Sequence, residues 1–98
     1  MDAELLLKRR VIMADALFAE LVIWRVPRPL AGSSHGCKYR LALVSEGICV
    51  LRYDNEAGKG DHIHRLSRQL GYHFIDVDTL VGDFSNDVER WVDEHRNT

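Results

Sequence analysis

Near the C-terminus, Val77, Leu80, Val81, Phe84, Val88, Trp91 and Val92 recur at helical spacing. This stripe constrains the fold more than any other part of the sequence. Asp83, Asp87, Glu89, Arg90, Asp93 and Glu94 fall on the opposite face, so the helix is amphipathic and needs an apolar surface to cover. Asp76 or Asp78 stands where an N-cap is required. A chain of 98 residues supports one compact domain, residues 1–98, with a modest core. The surface that this helix covers must therefore come from the segments before it.

Those segments read as strands. LLLKRRVIMADALFAELVIWRVP has its β-branched and aromatic residues gathered in VIM and LVIW, on either side of a turn near Ala14-Asp15-Ala16. Pro27 and Pro29 close it, and PRPLAGSSHG is a loop by composition. KYRLALV and ICVLRYD, separated by Ser45-Glu46-Gly47, form a hairpin signal. A turn at Glu46-Gly47 pairs Val44 with Cys49, Ala42 with Leu51, Arg40 with Tyr53 and Lys38 with Asn55; a three-residue turn shifts every pair. YHFIDV reads as a short last strand. The predicted architecture is α+β: about five mostly antiparallel strands in hairpins, with the amphipathic C-terminal helix packed on one face of the sheet.

The apolar runs are far shorter than the roughly twenty residues of a bilayer-spanning helix, and MDAELLLKRR runs opposite to a secretory signal. A cytoplasmic protein with no membrane partner is expected. Cys37 and Cys49 form neither a CxxC pair nor a disulfide framework, and the hairpin register holds them apart. Net charge is −2, divided unevenly: residues 1–75 hold eleven Lys or Arg against eight Asp or Glu, residues 76–98 two against seven. The mildly basic body can approach a phosphate backbone, but it has no polycationic stripe for tight non-specific DNA binding.

Chemistry concentrates in YDNEAGKGDHIH, Tyr53 to His64. Turn propensity accounts for each Asp, Asn and Gly alone, but turns do not require a lysine and two histidines. His62 and His64, two apart, project to the same side of an extended segment, and histidine suits proton transfer near neutral pH. Cleavage of RNA by internal attack needs a base for the 2′-hydroxyl proton, an acid for the leaving oxygen and cations for the phosphorane. His62, His64 or His35 can move protons, with Asp61 or Asp54 orienting a histidine. Tyr53 can donate a proton or stack on a base. Lys38, Arg40 and Lys59 supply charge, Gly58 and Gly60 let amides approach an anion, and Asn55 lies among them. This reading needs no cofactor. In the alternative, Asp54, Asp61, His62 and His64 ligate a divalent metal ion that activates water for phosphodiester hydrolysis; in a third, the loop binds protein or nucleic acid without chemistry.

HGCKYRLAL, VLRYDNEAGKGDHIH, YHFI and LVGDFSNDV together resemble the TumE family of small bacterial proteins, the toxin components of toxin–antitoxin pairs. The likeness runs from the VIW segment to DFSNDV, and its most specific part is YDN..GKGDH.H. The matching positions are Lys38, Tyr39, Arg40, Tyr53, Asp54, Asn55, Gly58, Lys59, Gly60, Asp61, His62 and His64. The resemblance implies a toxin acting on RNA as a ribonuclease, and a cognate antitoxin carrying a helix-turn-helix DNA-binding domain. Ile63 stands where the family often has a basic residue, and RLSRQLG where it often has a more acidic turn; the first lowers local positive charge. Exposed sheet edges and an apolar N-terminal hairpin also make a homodimer feasible.

Overall fold

The computed structural model describes residues 2–96. They form β1 (Glu4–Ala14), β2 (Leu17–Arg25), β3 (Cys37–Ser45), β4 (Ile48–Asp54), β5 (His62–Arg65), β6 (Arg68–Gly71) and α1 (Val77–His95). All six strands pair antiparallel with their chain neighbours in one sheet of order β1-β2-β3-β4-β5-β6. The expected α+β plan holds, with six strands rather than five. Both N-terminal predictions hold as well, the turn after Ala14 and the loop before Cys37.

The extra strand lies in a segment that its sequence disguises. YHFIDV has strand composition, yet Tyr72 to Asp76 form an irregular connector. Its aromatic rings pack beneath the sheet instead: Phe74 stacks on His35 with centroids 3.8 Å apart, and Tyr72 meets Tyr53 edge-on. The polar Arg68–Gly71 pairs with β5 in its place, as an exposed edge strand. An edge strand covered on neither face needs no apolar alternation, so its sequence carries little signal.

The β3–β4 hairpin turns at Glu46-Gly47 as expected, both at positive φ, and Val44 opposes Cys49. Beyond that pair the register slips by one, because Val50 is an extra residue in β4. Leu43 then opposes Leu51, Leu41 opposes Tyr53 and Arg40 opposes Asp54. The expected pairs Ala42–Leu51, Arg40–Tyr53 and Lys38–Asn55 are therefore displaced. A bulge inserts one residue and turns every later side chain to the other face. Cys37 and Cys49 are both free thiols.

One face of the sheet carries Ala19, Leu21, Ile23, Tyr39, Leu41, Leu43, Leu51, Tyr53 and Ile63, and packs with Leu80, Phe84 and Val88 of α1 into the core. Val77, Val81, Trp91 and Val92 flank it, which completes the predicted stripe. Asp76 caps the helix, its carboxylate accepting from the Thr79 amide at 2.7 Å. Two helix carboxylates expected in solvent turn inward. Asp87 is buried and accepts from Tyr53 Oη and from Arg65 at 2.7 Å, while Asp83 accepts from Tyr72 Oη at 2.7 Å. Asp87 thereby ties the helix to β4 and β5, and Asp83 ties it to the connector.

Phe84 is 2% exposed at the centre of this contact. Phe84→Ala is expected to cost about 3–5 kcal/mol of stability, read from the midpoint shift in urea denaturation at unchanged m-value.

Candidate functional site

Strand alternation sorts the reactive run into two groups. With the bulge at Val50, Tyr53 faces the helix and Asp54 the open side; across the ladder Asp54 opposes His62 and Arg52 opposes His64, while Ile63 opposes Tyr53. Directly paired residues share a face. One row thus runs across the open face through Lys8, Val22, Arg40, Asp54 and His62, and the next through Arg10, Glu20, Ala42, Arg52, His64 and Gln69. The face away from the helix collects both histidines, one aspartate and most of the sheet's cations.

Asp54, His62 and His64 converge there, with one ligand-capable atom of each within 4.8 Å of the others. Asp54 Oδ1 lies 3.6 Å from His62 Nε2 and 3.8 Å from His64 Nε2, both too far for a hydrogen bond. Its other oxygen, Oδ2, lies 2.9 Å from Arg52 Nε. Oδ1 and Arg52 Nε are both buried and have no hydrogen-bond partner among the described residues. His62 is 4% exposed, and His64 is the more open of the pair. Desolvation holds the His64 pKa below the usual 6.5, the Arg52 cation adds to the effect, and Asp54 partly opposes it. A base depressed in the fold is protonated more readily when unfolded, so stability present above about pH 6.5 is lost as pH falls from there through the lower folded value. Lys38 and Arg40 stand exposed beside the cluster, without an ion pair among the described residues.

Asp61, grouped with Asp54 by sequence, belongs to the inner side. Its Oδ1 accepts from Ser33 Oγ at 2.5 Å, and its Oδ2 lies 2.6 Å from His35 Nε2 and accepts from Tyr39 Oη at 2.7 Å. The Cys37 amide donates to His35 Nδ1 at 3.1 Å, so that nitrogen is an acceptor and the ring proton sits on Nε2, donated to Asp61. Both nitrogens of His35 are thereby engaged. Burial, then the bond to Asp61, pushes the Tyr39 phenol far above its usual pKa, which keeps it a donor.

The rest of the loop makes structural contacts as well, and Lys59 also lines the cavity of Asp54, His62 and His64. Asn55, 1% exposed, accepts from the Tyr39 amide at 2.9 Å and donates to Cys37 O at 2.7 Å and Ser33 Oγ at 3.3 Å. Gly58 N donates to Ala31 O at 2.6 Å. Gly32 and Gly60, both at positive φ, touch so closely that a Cβ on Gly32 would lie 2.7 Å from Gly60 N. Only glycine fits such an approach. Lys59 pairs with Glu56 at 2.9 Å on the surface, and its amide donates to Glu56 O at 3.1 Å. These contacts clamp the 27–36 loop to the start of β5. Tyr53, bonded to Asp87, lies on the helix side.

The fold thus joins Asp54, His62 and His64, with Arg40 and Lys38 adjacent, and separates from them Tyr53, Asp61, His35 and Asn55. Sequence reasoning missed Arg52, which holds Asp54. Counting back by two along β4 from Asp54 would have found it.

The family model described as Toxin TumE matches residues 2–92. No curated protein matches the chain, and no solved structure does.

The two aspartate clusters differ in what their loss should do. Asp61→Ala strands three partners and is expected to lower stability by about 3 kcal/mol. His64→Ala breaks no side-chain hydrogen bond and should cost about 1 kcal/mol or less. Chemical denaturation of both variants checks the contrast.

Proposed function

The chain belongs to the TumE toxin family, and from that premise we propose that it acts on RNA, cutting the phosphodiester backbone at Asp54, His62 and His64. Family membership implies a cognate antitoxin; in this reading that partner carries a helix-turn-helix domain. The observation that carries the proposal is the company the cluster keeps. Two histidines and a carboxylate with an unused oxygen sit beside unpaired Lys38 and Arg40, on the side of the sheet that the helix leaves open.

Phosphodiester cleavage needs charge stabilisation around the phosphate as much as a group that activates the nucleophile. Arg40, in the same cross-strand row as Asp54 and His62, can hold a non-bridging oxygen. Lys38 opposes the half-buried Trp24 across the β2–β3 ladder, so a cation and an aromatic ring are offered together. Single-stranded RNA is gripped by such pairs, with phosphate on the cation and base on the ring. Lys8 and Arg10 extend the cationic face towards β1. Asp61, His35 and Asn55 fix the loop that delivers His62, and they act on the chemistry only through position.

Two measurements test this. His64→Ala should abolish cleavage of RNA by the purified protein, and toxicity on expression, while the fold survives. Undiminished toxicity in both His64→Ala and Asp54→Asn would sink the cleavage reading. Lys38→Ala and Arg40→Ala should each weaken binding to single-stranded RNA and reduce the slope of log K against log salt by about 0.7, followed by fluorescence anisotropy across a salt series.

A further inference from the structure

We infer that Asp54, His62 and His64 form a binding site for a single divalent first-row metal ion of the zinc or manganese kind. The inference deepens the reading of this cluster as the cleavage site, because it names what the three side chains hold.

The carboxylate points to it first. A buried polar atom is almost always hydrogen-bonded, and Asp54 Oδ1 is buried without a partner. It also faces the histidines: Oδ2 is ion-paired with Arg52, whose Nε lies 2.9 Å away without hydrogen-bond geometry, and Oδ1 is the oxygen nearest both imidazoles. A cation that fixes a ligating carboxylate from behind is what the outer shell of a metal centre supplies. Were Asp54 there only to orient a histidine, one imidazole nitrogen would donate to it at about 2.8 Å. Instead both Nε2 atoms stand off, at 3.6 and 3.8 Å. Ligand atoms around a tetrahedral zinc lie about 3.3 Å apart, so small side-chain rotations would close the set around an ion.

The donors select the ion's class. Two imidazole nitrogens and one carboxylate oxygen suit zinc, manganese and their neighbours, whereas magnesium and calcium prefer all-oxygen surroundings. The backbone is suited to the task as well. All three ligands sit in a ladder of adjacent strands, β4 and β5, whose positions are set by main-chain bonds. Three protein ligands leave a coordination position open, and it would lie on the solvent side, next to His64. A phosphate oxygen or a water molecule could fill it there.

The full-length protein, stripped with chelator and desalted, is titrated with zinc chloride and separately with manganese chloride by calorimetry. One ion per chain is expected for at least one metal. His64→Ala, His64→Gln and Asp54→Asn should each weaken binding by at least about tenfold, since even outer-shell changes cost that much. His73→Ala, in the exposed connector, should bind as the parent does, and the metal should raise the melting temperature of the parent but not of the three cluster variants. No binding by the parent, or equal binding by folded cluster variants, overturns the site. Undiminished RNA cleavage by a parent that binds no metal overturns the site and leaves the cleavage reading standing. Metal bound at the cluster, with no RNA cleaved in its presence, upholds the site and overturns the cleavage reading.

Discussion

The extra residue in β4 is the constraint from which both halves of the molecule follow. Without Val50 as a bulge, the hairpin register set by Glu46-Gly47 would carry Leu51 and Tyr53 to the open face and Arg52 and Asp54 under the helix. That arrangement would bury two charges and expose two buried core residues, a loss on both counts. One inserted residue reverses it. Leu51 and Tyr53 join the core, Tyr53 reaches Asp87 on the helix, and Asp54 arrives beside Arg40 and opposite His62. Bulges often stand next to active sites because they re-aim side chains, and here the re-aimed residues are the ones with chemistry to offer.

Two aspartates a few residues apart differ in how fully their oxygens are used. Asp61 receives Ser33, His35 and Tyr39, and leaves neither oxygen idle. Asp54 has one arginine and one oxygen with no partner. A satisfied buried network rigidifies; an unsatisfied one marks a place where the fold tolerates a local cost. The first clamps the 27–36 loop to β5 and so fixes where the strand begins. The second occupies the position so fixed.

Much of this was legible in the sequence, for reasons that also explain the gaps. The helix announced itself because an exposed amphipathic helix must write its period into its residues, and its Asp76 cap follows the same logic. The hairpin turn was plain in Glu46-Gly47. The bulge was not, because ICVL is apolar throughout and shows no alternation for a slipped register to disturb. Nor was β6: Arg68–Gly71 is an exposed edge, while Tyr72 and Phe74 have strand composition but are used in ring stacking. The pairing of His62 with His64 was readable from their spacing. Which aspartate joins them depended on strand parity across Gly58 and Gly60, and two residues at positive φ erase parity from the sequence.

The strand order has a consequence for synthesis. Each strand pairs with the one just made, so the sheet can grow as the chain leaves the ribosome, one antiparallel neighbour at a time. The element that covers its apolar side comes only after all six strands. Until α1 emerges, Leu41, Leu43 and Tyr53 are presented to the cell on a nearly finished sheet, and such transient surfaces are what chaperones and neighbouring chains seize. The nascent sheet is thus most adhesive just before α1 emerges.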